Sequence, residues 1–285
     1  MTIAVIGASG RIGRRVVAGL AAGGRRPGLV AIGRTPARMP DLPPGVDRAF
    51  ADCTDRAALS AALAGARIVV SCVHARFAGA VLAALPAGAG RVVLLGSTRC
   101  FTRFPDRAAD EVRAAEAALR ASPVPGLILH PTMIYGGDGE NNVQRIAALI
   151  RRFGILALPD GGRSLLQPIH AADVAASVVA AAPLEGVRGA MVLAGPEAVT
   201  QAEFARAIAR AIGRRVLILP APMAVMRVAA AMTRAIPGLP RVEAAEILRL
   251  TEDKNFPIDD MTARLGIVPR PLAQGLRETF GPVPV

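Results

Sequence analysis

A chain of 285 residues, 52% of them hydrophobic, carries enough apolar material to bury the core of one large domain or of two unequal ones. Its charge is lopsided, with 34 Lys and Arg against 22 Asp and Glu, but almost every basic residue is an Arg and they are spread along the whole chain. With aromatics at only 3% there are few stacking platforms, so a nucleic-acid partner is not expected, and no apolar run reaches the roughly 18 residues of a membrane span.

In chain order, residues 2–6 form a short apolar run with the character of a buried strand, and 11–22 follow with helical spacing, stopped by Gly23-Gly24. A second strand is expected at 29–33, a Pro-rich loop or short helix at 36–45, and a weak third strand at 48–51. A helix at 55–64 has Thr54 or Asp55 as its N-cap and Gly65 at its C-terminal stop. Strands at 67–72 and 91–95 bracket a short helix at 78–85. The run at 91–95 is continuous in Val and Leu, as a strand covered on both faces should be. A helix at 106–121 with an apolar stripe of Val112, Ala115 and Leu119 leads to a sixth strand at 127–130.

The remainder is less regular. Helices are expected at 142–152, 171–182 and 200–212, the last with Thr200 as N-cap and Glu203 completing a capping box. Strands are expected at 155–158, 190–193 and 216–219 and further helices at 223–235 and 242–250, and the segments 259–265 and 271–280 finish the chain. Alternating strands and helices in the first half predict an α/β fold, a doubly wound parallel sheet of the Rossmann type. The expected division is a dinucleotide-binding domain over 1–135 plus parts of 155–195, and a smaller α/β substrate or lid region over 136–154 and 196–285. In such a sheet ligands lie beyond the carboxyl ends of the strands, here after strands one, two, four, five and six.

The first of these positions holds Gly7-Ala-Ser-Gly10-Arg-Ile-Gly13 between strand and helix. Gly7 permits the tight turn, Gly10 lets backbone approach a pyrophosphate, and Gly13 lets helix pack on strand. Ser9, Arg11 and Ile12 complete the expected contacts. After strand two come Gly33-Arg34-Thr35 and Arg38, with no carboxylate to accept from a ribose 2′-hydroxyl. An Arg there accommodates a 2′-phosphate, so NADP is preferred over NAD. Asp52 is placed to meet the adenine edge. Cys72 and Val73, after strand four, run along the cofactor by backbone contacts.

Together with Ala51-Asp52, Gly96-Ser97-Thr98, the segment from His130 to Gly136, and Gln167-Pro-Ile-His170-Ala-Ala-Asp173-Val174, that turn resembles the short-chain dehydrogenase/reductase superfamily in its extended and atypical branch, the NAD-dependent epimerase/dehydratase group. The matching pieces run in order from residue 3 to about 180, and the stretches 249–253 and 265–270 are similar to that group's tail. The resemblance implies that Ser97 and Thr98 orient a substrate oxygen, that Pro131 and Met133 line the nicotinamide, and that a homodimer can form through a helical face. It also implies a Tyr-x-x-x-Lys acid–base pair, which this chain lacks. Its single tyrosine is Tyr135, its single lysine is Lys254, and alignment on Glu116 puts Ala or Val at the pair's positions. Arg113 is left as a ribose contact and Tyr135 as a proton donor or pocket wall. His130 reads as a core histidine and His170 as a bridge between strand and helix. Asp173 is expected to support His170 or cap the helix, and Asp110 and Glu111 to complement the helix dipole.

Three functions remain open. The first is NADP-dependent hydride transfer to a small apolar substrate such as an activated alkene, imine or quinone, where the coenzyme carries the chemistry. The second is a non-catalytic dinucleotide-binding sensor or accessory subunit. The segment 223–236, read first as a lid helix, would then offer an amphipathic face for an anionic membrane or protein. A nucleotide-sugar epimerase or dehydratase comes third, because Leu166 stands where that group carries an Arg. Cys53, Cys72 and Cys100 with His74, His130 and His170 show no metal-ligand spacing. Scattered cysteines and a first strand beginning at residue 2, which leaves no room for a signal peptide, predict a cytoplasmic protein.

Overall fold

The apolar runs of the first half become the parallel strands of one sheet. The computed structural model describes residues 2–23, 28–39, 41–137, 142–224 and 248–281. In chain order the strands are β1 (Thr2–Ile6), β2 (Gly28–Gly33), β3 (Val46–Phe50), β4 (Ile68–Ser71), β5 (Arg91–Leu95), β6 (Gly126–Pro131), β7 (Ile134–Tyr135), β8 (Ile155–Pro159), β9 (Leu165–Leu166), β10 (Ile169–His170), β11 (Gly189–Leu193), β12 (Val199–Thr200) and β13 (Leu217–Ala221). The helices are α1 (Arg11–Ala22), α2 (Arg56–Ala62), α3 (Ala78–Ala83), α4 (Arg107–Ala121), α5 (Asn142–Phe153), α6 (Ala171–Ala181), α7 (Gln201–Ala211), α8 (Asp259–Leu265) and α9 (Leu272–Phe280).

Seven strands pair in the order β11-β6-β5-β4-β1-β2-β3, every neighbouring pair parallel. This is the doubly wound Rossmann arrangement, and the order reverses between β1 and β4. Alternate residues of each strand enter opposite cores, because a strand's side chains point to the two faces in turn. Ile3, Val5 and Leu127 meet α1, α6 and α8 on one face; Ala4, Ile6 and Ile128 meet α2, α3 and α4 on the other. A third cluster, away from the sheet, gathers Tyr135, Val143, Ile150, Phe204, Ile208 and Leu276 from β7, α5, α7 and α9.

Local sequence starts the helices where expected. Asp55, not Thr54, caps α2 by accepting from Ala58 N–H at 3.0 Å. Asp106 caps α4, and Thr200 with Glu203 forms a complete capping box on α7. The Pro-rich stretch after β2 contains one short turn, Pro36–Arg38. β8 pairs in parallel with β13, outside the main sheet. The helices expected at 223–235 and 242–250 lie, apart from their ends, outside the described residues. Among the described helices none is long and apolar enough to cross a membrane.

Candidate active site

Site geometry begins at the carboxyl end of β1. The Gly7 and Ala8 N–H groups both donate to the Ile32 carbonyl, at 2.9 and 3.1 Å, which draws the turn across β2. Gly7 has φ +80°, and a Cβ on it would stand 2.8 Å from Val73 Cγ1. A Cβ on Gly13 would overlap the Gly7 carbonyl oxygen and stand 2.7 Å from its carbon. Helix α1 therefore starts directly against the turn. Gly10 is its N-cap without a side-chain cap, so the first-turn N–H groups have no cap partner, and Gly10 and Arg11 are exposed there. This cradle fits a pyrophosphate, which the partial positive charge of the helix end attracts. Ser9 lies beside it, its Oγ 3.8 Å from where a Gly33 Cβ would sit.

At the end of β2, Arg34 and Arg38 are both exposed. Asp52, after β3, accepts from Thr54 N–H at 2.9 Å and from the Thr54 hydroxyl at 2.7 Å. These bonds, with a smaller contribution from the Arg34 charge, hold its carboxyl below the usual carboxylate range. The sequence-predicted turn, arginines and acid thus line one edge of the sheet in the expected order.

A pocket of about 330 Å³ opens at the carboxyl ends of β4 and β5. Cys72, Val73 and His74 form one wall, Leu95, Gly96 and Ser97 a second, and Arg99, Ala108 and Val112 close it from the α4 side. Ala108 and Val112 are one helical turn apart, the spacing of a Tyr-x-x-x-Lys pair, and both present methyl groups. Ser97 Oγ accepts from Arg99 N–H at 3.2 Å, which leaves its hydroxyl proton available to a ligand. Thr98 is buried and its hydroxyl donates to the Pro131 carbonyl at 3.3 Å. Burial pushes the Cys72 thiol up to about 12 and that of Cys100 up to about 11, so neither is a thiolate near neutrality.

The residues expected to contact a cofactor from α4 and β6 are held by the protein itself. Arg113 donates from Nε to Cys100 O, from Nη2 to Thr102 O and from Nη1 to Asp110, each at 2.8 Å, and so clamps the turn after Ser97. Arg99 and Arg249 both pair with Asp106. Pro131 ends β6 and is buried; Met133 is half-buried and packs on the third cluster. Tyr135 is 1% exposed, stacks edge-on with His170 at 5.3 Å and lays its phenol against Gly275. Burial, reinforced by the Asp173 charge, holds its proton well above the ordinary phenol range.

His130 is the buried histidine its position predicted. Its Nδ1 accepts from Ser97 N–H at 3.2 Å, and its Nε2 lies 3.4 Å from a Glu116 carboxylate oxygen. Burial lowers its pKa, against the raising influence of Glu116. His170 caps α6 by accepting from Ala172 N–H at 3.3 Å. Asp173 neither supports His170 nor caps the helix as expected; it holds the Arg270 guanidinium from both oxygens at 2.9 to 3.1 Å and also accepts from Arg270 N–H.

The expectation for Glu111 as a dipole partner omitted what the fold brings to it: His74 Nδ1 stands 3.6 Å from its Oε2. In the sequence His74 stands out only as one of three histidines without metal-ligand spacing. The signal that it belonged to the site was its place three residues past β4, where this fold puts ligands. Among the described residues no group of three or more His, Cys, Asp or Glu could hold a metal ion.

Comparison with known proteins agrees with this geometry. Residues 7–185 match the model of a family described as NAD(P)H-binding. No curated protein matches the sequence. Among solved structures, the chain is similar to an NADPH-dependent quinone oxidoreductase from Escherichia coli complexed with NADPH: 23% identity, TM-score 0.76, covering 98% of this chain and 100% of that one. It is also similar to a nucleoside-diphosphate-sugar epimerase from Staphylococcus aureus, at 18% identity and TM-score 0.77, over 98% of this chain and 100% of the other. A UDP-glucose 4-epimerase from Thermotoga maritima with UDP-glucose aligns at 14% identity and TM-score 0.70, over 98% and 97%. Identities this low establish a shared fold.

Proposed function

Because this chain belongs to the NAD(P)H-binding family, we propose that it is an atypical short-chain oxidoreductase that uses NADP(H) to reduce a small, largely apolar acceptor such as a quinone or activated alkene. The observation that carries this reading is the pair Ala108 and Val112. They make an apolar wall beside Ser97 at the four-residue spacing that the family resemblance implies for a tyrosine and a lysine. When bound, the reduced nicotinamide supplies the hydride. The chain supplies position: the α1 cradle holds the pyrophosphate, and Gly96 and Ser97 abut the acceptor. The Ser97 hydroxyl donates to an acceptor oxygen. Ala108 and Val112 exclude water from the reacting face.

Arg34 and Arg38, exposed at the end of β2 with no carboxylate in place of either, support a 2′-phosphate and therefore NADP over NAD. Calorimetry with NADPH and NADH tests this. NADPH is expected to bind about tenfold more tightly or better, and Arg34→Asp to abolish that margin, a loss of roughly 1.4 kcal/mol. A native preference for NADH would overturn the assignment, as would an Arg34→Asp protein that kept its preference for NADPH. Following NADPH oxidation against quinones, enones and aldehydes tests the catalytic part. Loss of the tyrosine–lysine pair also favours a second reading, a dinucleotide-binding sensor or accessory subunit, and tight NADPH binding without turnover on any acceptor would select it.

A further inference from the structure

We propose that His74, paired with Glu111, is the catalytic acid of this site, its Nε2–H protonating the acceptor oxygen as hydride arrives. The proposal rests on the reductase reading above and narrows it to acceptors whose oxygen gains a proton, namely quinones and conjugated enones. His74 lines the same pocket as Ser97 and Val112, and its side chain is 51% exposed, open to both ligand and solvent. The ring is oriented from its other nitrogen. Nδ1 lies 3.3 Å from Arg76 N–H, which donates to it, and 3.6 Å from Glu111 Oε2. A resting neutral ring accepts from Arg76 at Nδ1, and an imidazolium pairs its charge with the Glu111 carboxylate. Nε2 lies on the other side of the ring from these partners, and in the imidazolium it carries the proton to be given up.

The neighbouring charges are compatible with this role. Arg107 Nε sits 3.2 Å from the other Glu111 oxygen, Arg76 stacks its guanidinium over Phe77 at 4.6 Å, and Arg99 on the far wall is paired with Asp106. Ser97 keeps a hydroxyl to hydrogen-bond the acceptor but is too weak an acid to give up its proton, and other groups near the cleft are committed elsewhere: Thr98 to the Pro131 carbonyl, Tyr135 to the third cluster, and the Cys72 thiol by its burial. The step balances. The acceptor takes up a hydride from the reduced coenzyme, which is oxidised, and the π pair of the acceptor carbonyl moves onto oxygen. The Nε2–H bond of the imidazolium breaks as the O–H bond forms. The ring is left neutral with its Nδ1 proton toward Glu111, and one proton taken up from solvent at the open side of the pocket restores the imidazolium.

His74→Gln and Glu111→Gln variants, assayed with NADPH and a naphthoquinone, test the assignment, alongside binding of 4-nitrophenolate to the NADP⁺-loaded protein as a mimic of the developing oxyanion. Turnover by His74→Gln is expected to fall about 100-fold, and that of Glu111→Gln by about tenfold, with NADPH affinity unchanged. Nitrophenolate affinity is expected to fall about tenfold in His74→Gln, a readout that does not depend on turnover. Added imidazole is expected to restore turnover to His74→Ala. Turnover of His74→Gln within about threefold of the parent would overturn the proposal. So would unchanged nitrophenolate binding, a loss of NADPH affinity that accounts for the defect, or a His74→Ala protein that imidazole does not rescue. A parent protein that oxidises NADPH with none of the acceptors would bring down the reductase reading and this one together, whereas an active parent indifferent to His74 would bring down this one alone.

Discussion

Gly13 has no latitude, because the atoms that a side chain would meet are main-chain atoms of Gly7 and Ala8 rather than the flexible end of a side chain. Gly13→Ala must push helix α1 away from β1, and both the phosphate cradle and the packing of Val16 and Val17 on the sheet move with it. The expected cost is about 1–3 kcal/mol in chemical denaturation, accompanied by loss of measurable NADPH binding in calorimetry. A Gly13→Ala protein as stable and as tightly binding as its parent would contradict the packing described. Gly10→Ala is milder for the fold, since its Cβ would stand 3.2 Å from the Gly7 carbonyl oxygen, and it is the control for stability alone.

At the scale of elements, two helix caps of the same chemistry carry different loads. Thr200 and its partner Glu203 cap α7 at the surface, with bonds of 2.8 to 3.1 Å that satisfy the end of that helix alone. Asp106 caps α4 by accepting from Ala108 N–H at 2.9 Å, and its other oxygen pairs with Arg99 at 2.6 Å and with Arg249. Its side chain is 5% exposed, so the carboxylate binds α4, the pocket wall and the C-terminal third through one desolvated charge. Thr200→Ala is expected to cost about 1 kcal/mol. Asp106→Ala is expected to cost more, about 2–3 kcal/mol, because it removes ion pairs to Arg99 and Arg249 as well as the helix cap. Denaturant midpoints of the two variants, read against an unchanged m-value, measure the difference; equal costs would show that Asp106 acts as a cap and nothing more.

For the molecule as a whole, two buried imidazoles make stability fall on acidification. Burial lowers the pKa of His130 and, with help from the Arg270 charge, that of His170 below the ordinary value of 6.5. The unfolded chain therefore takes up these protons first as pH falls. The stability that the neutral rings allow is fully present above pH 6.5 and is lost as pH drops from there through the lower folded values. Urea unfolding between pH 7.5 and pH 5 should show that decline, and His130→Gln should flatten it. Stability that stayed level or rose on acidification would contradict the burial assigned to both rings.

Much of the architecture is legible in the sequence because its causes are local. Continuous Val and Leu runs mark strands covered on both faces, and the glycines of the first turn announce a close approach between backbones. Asp106, Thr200 and Glu203 sit at helix starts where a short polar side chain can reach free N–H groups. The alternation of such elements determined a parallel, doubly wound sheet. What only the tertiary structure decided are the meetings between residues far apart in the chain. They include His74 with Glu111, Asp173 with Arg270, Ser97 with His130, and the parallel pairing of β8 with β13. Periodicity and capping report how a segment folds on itself. Which side chains of two separate segments touch is settled by how sheet and helices close together, and the chemistry of this pocket is made of those contacts.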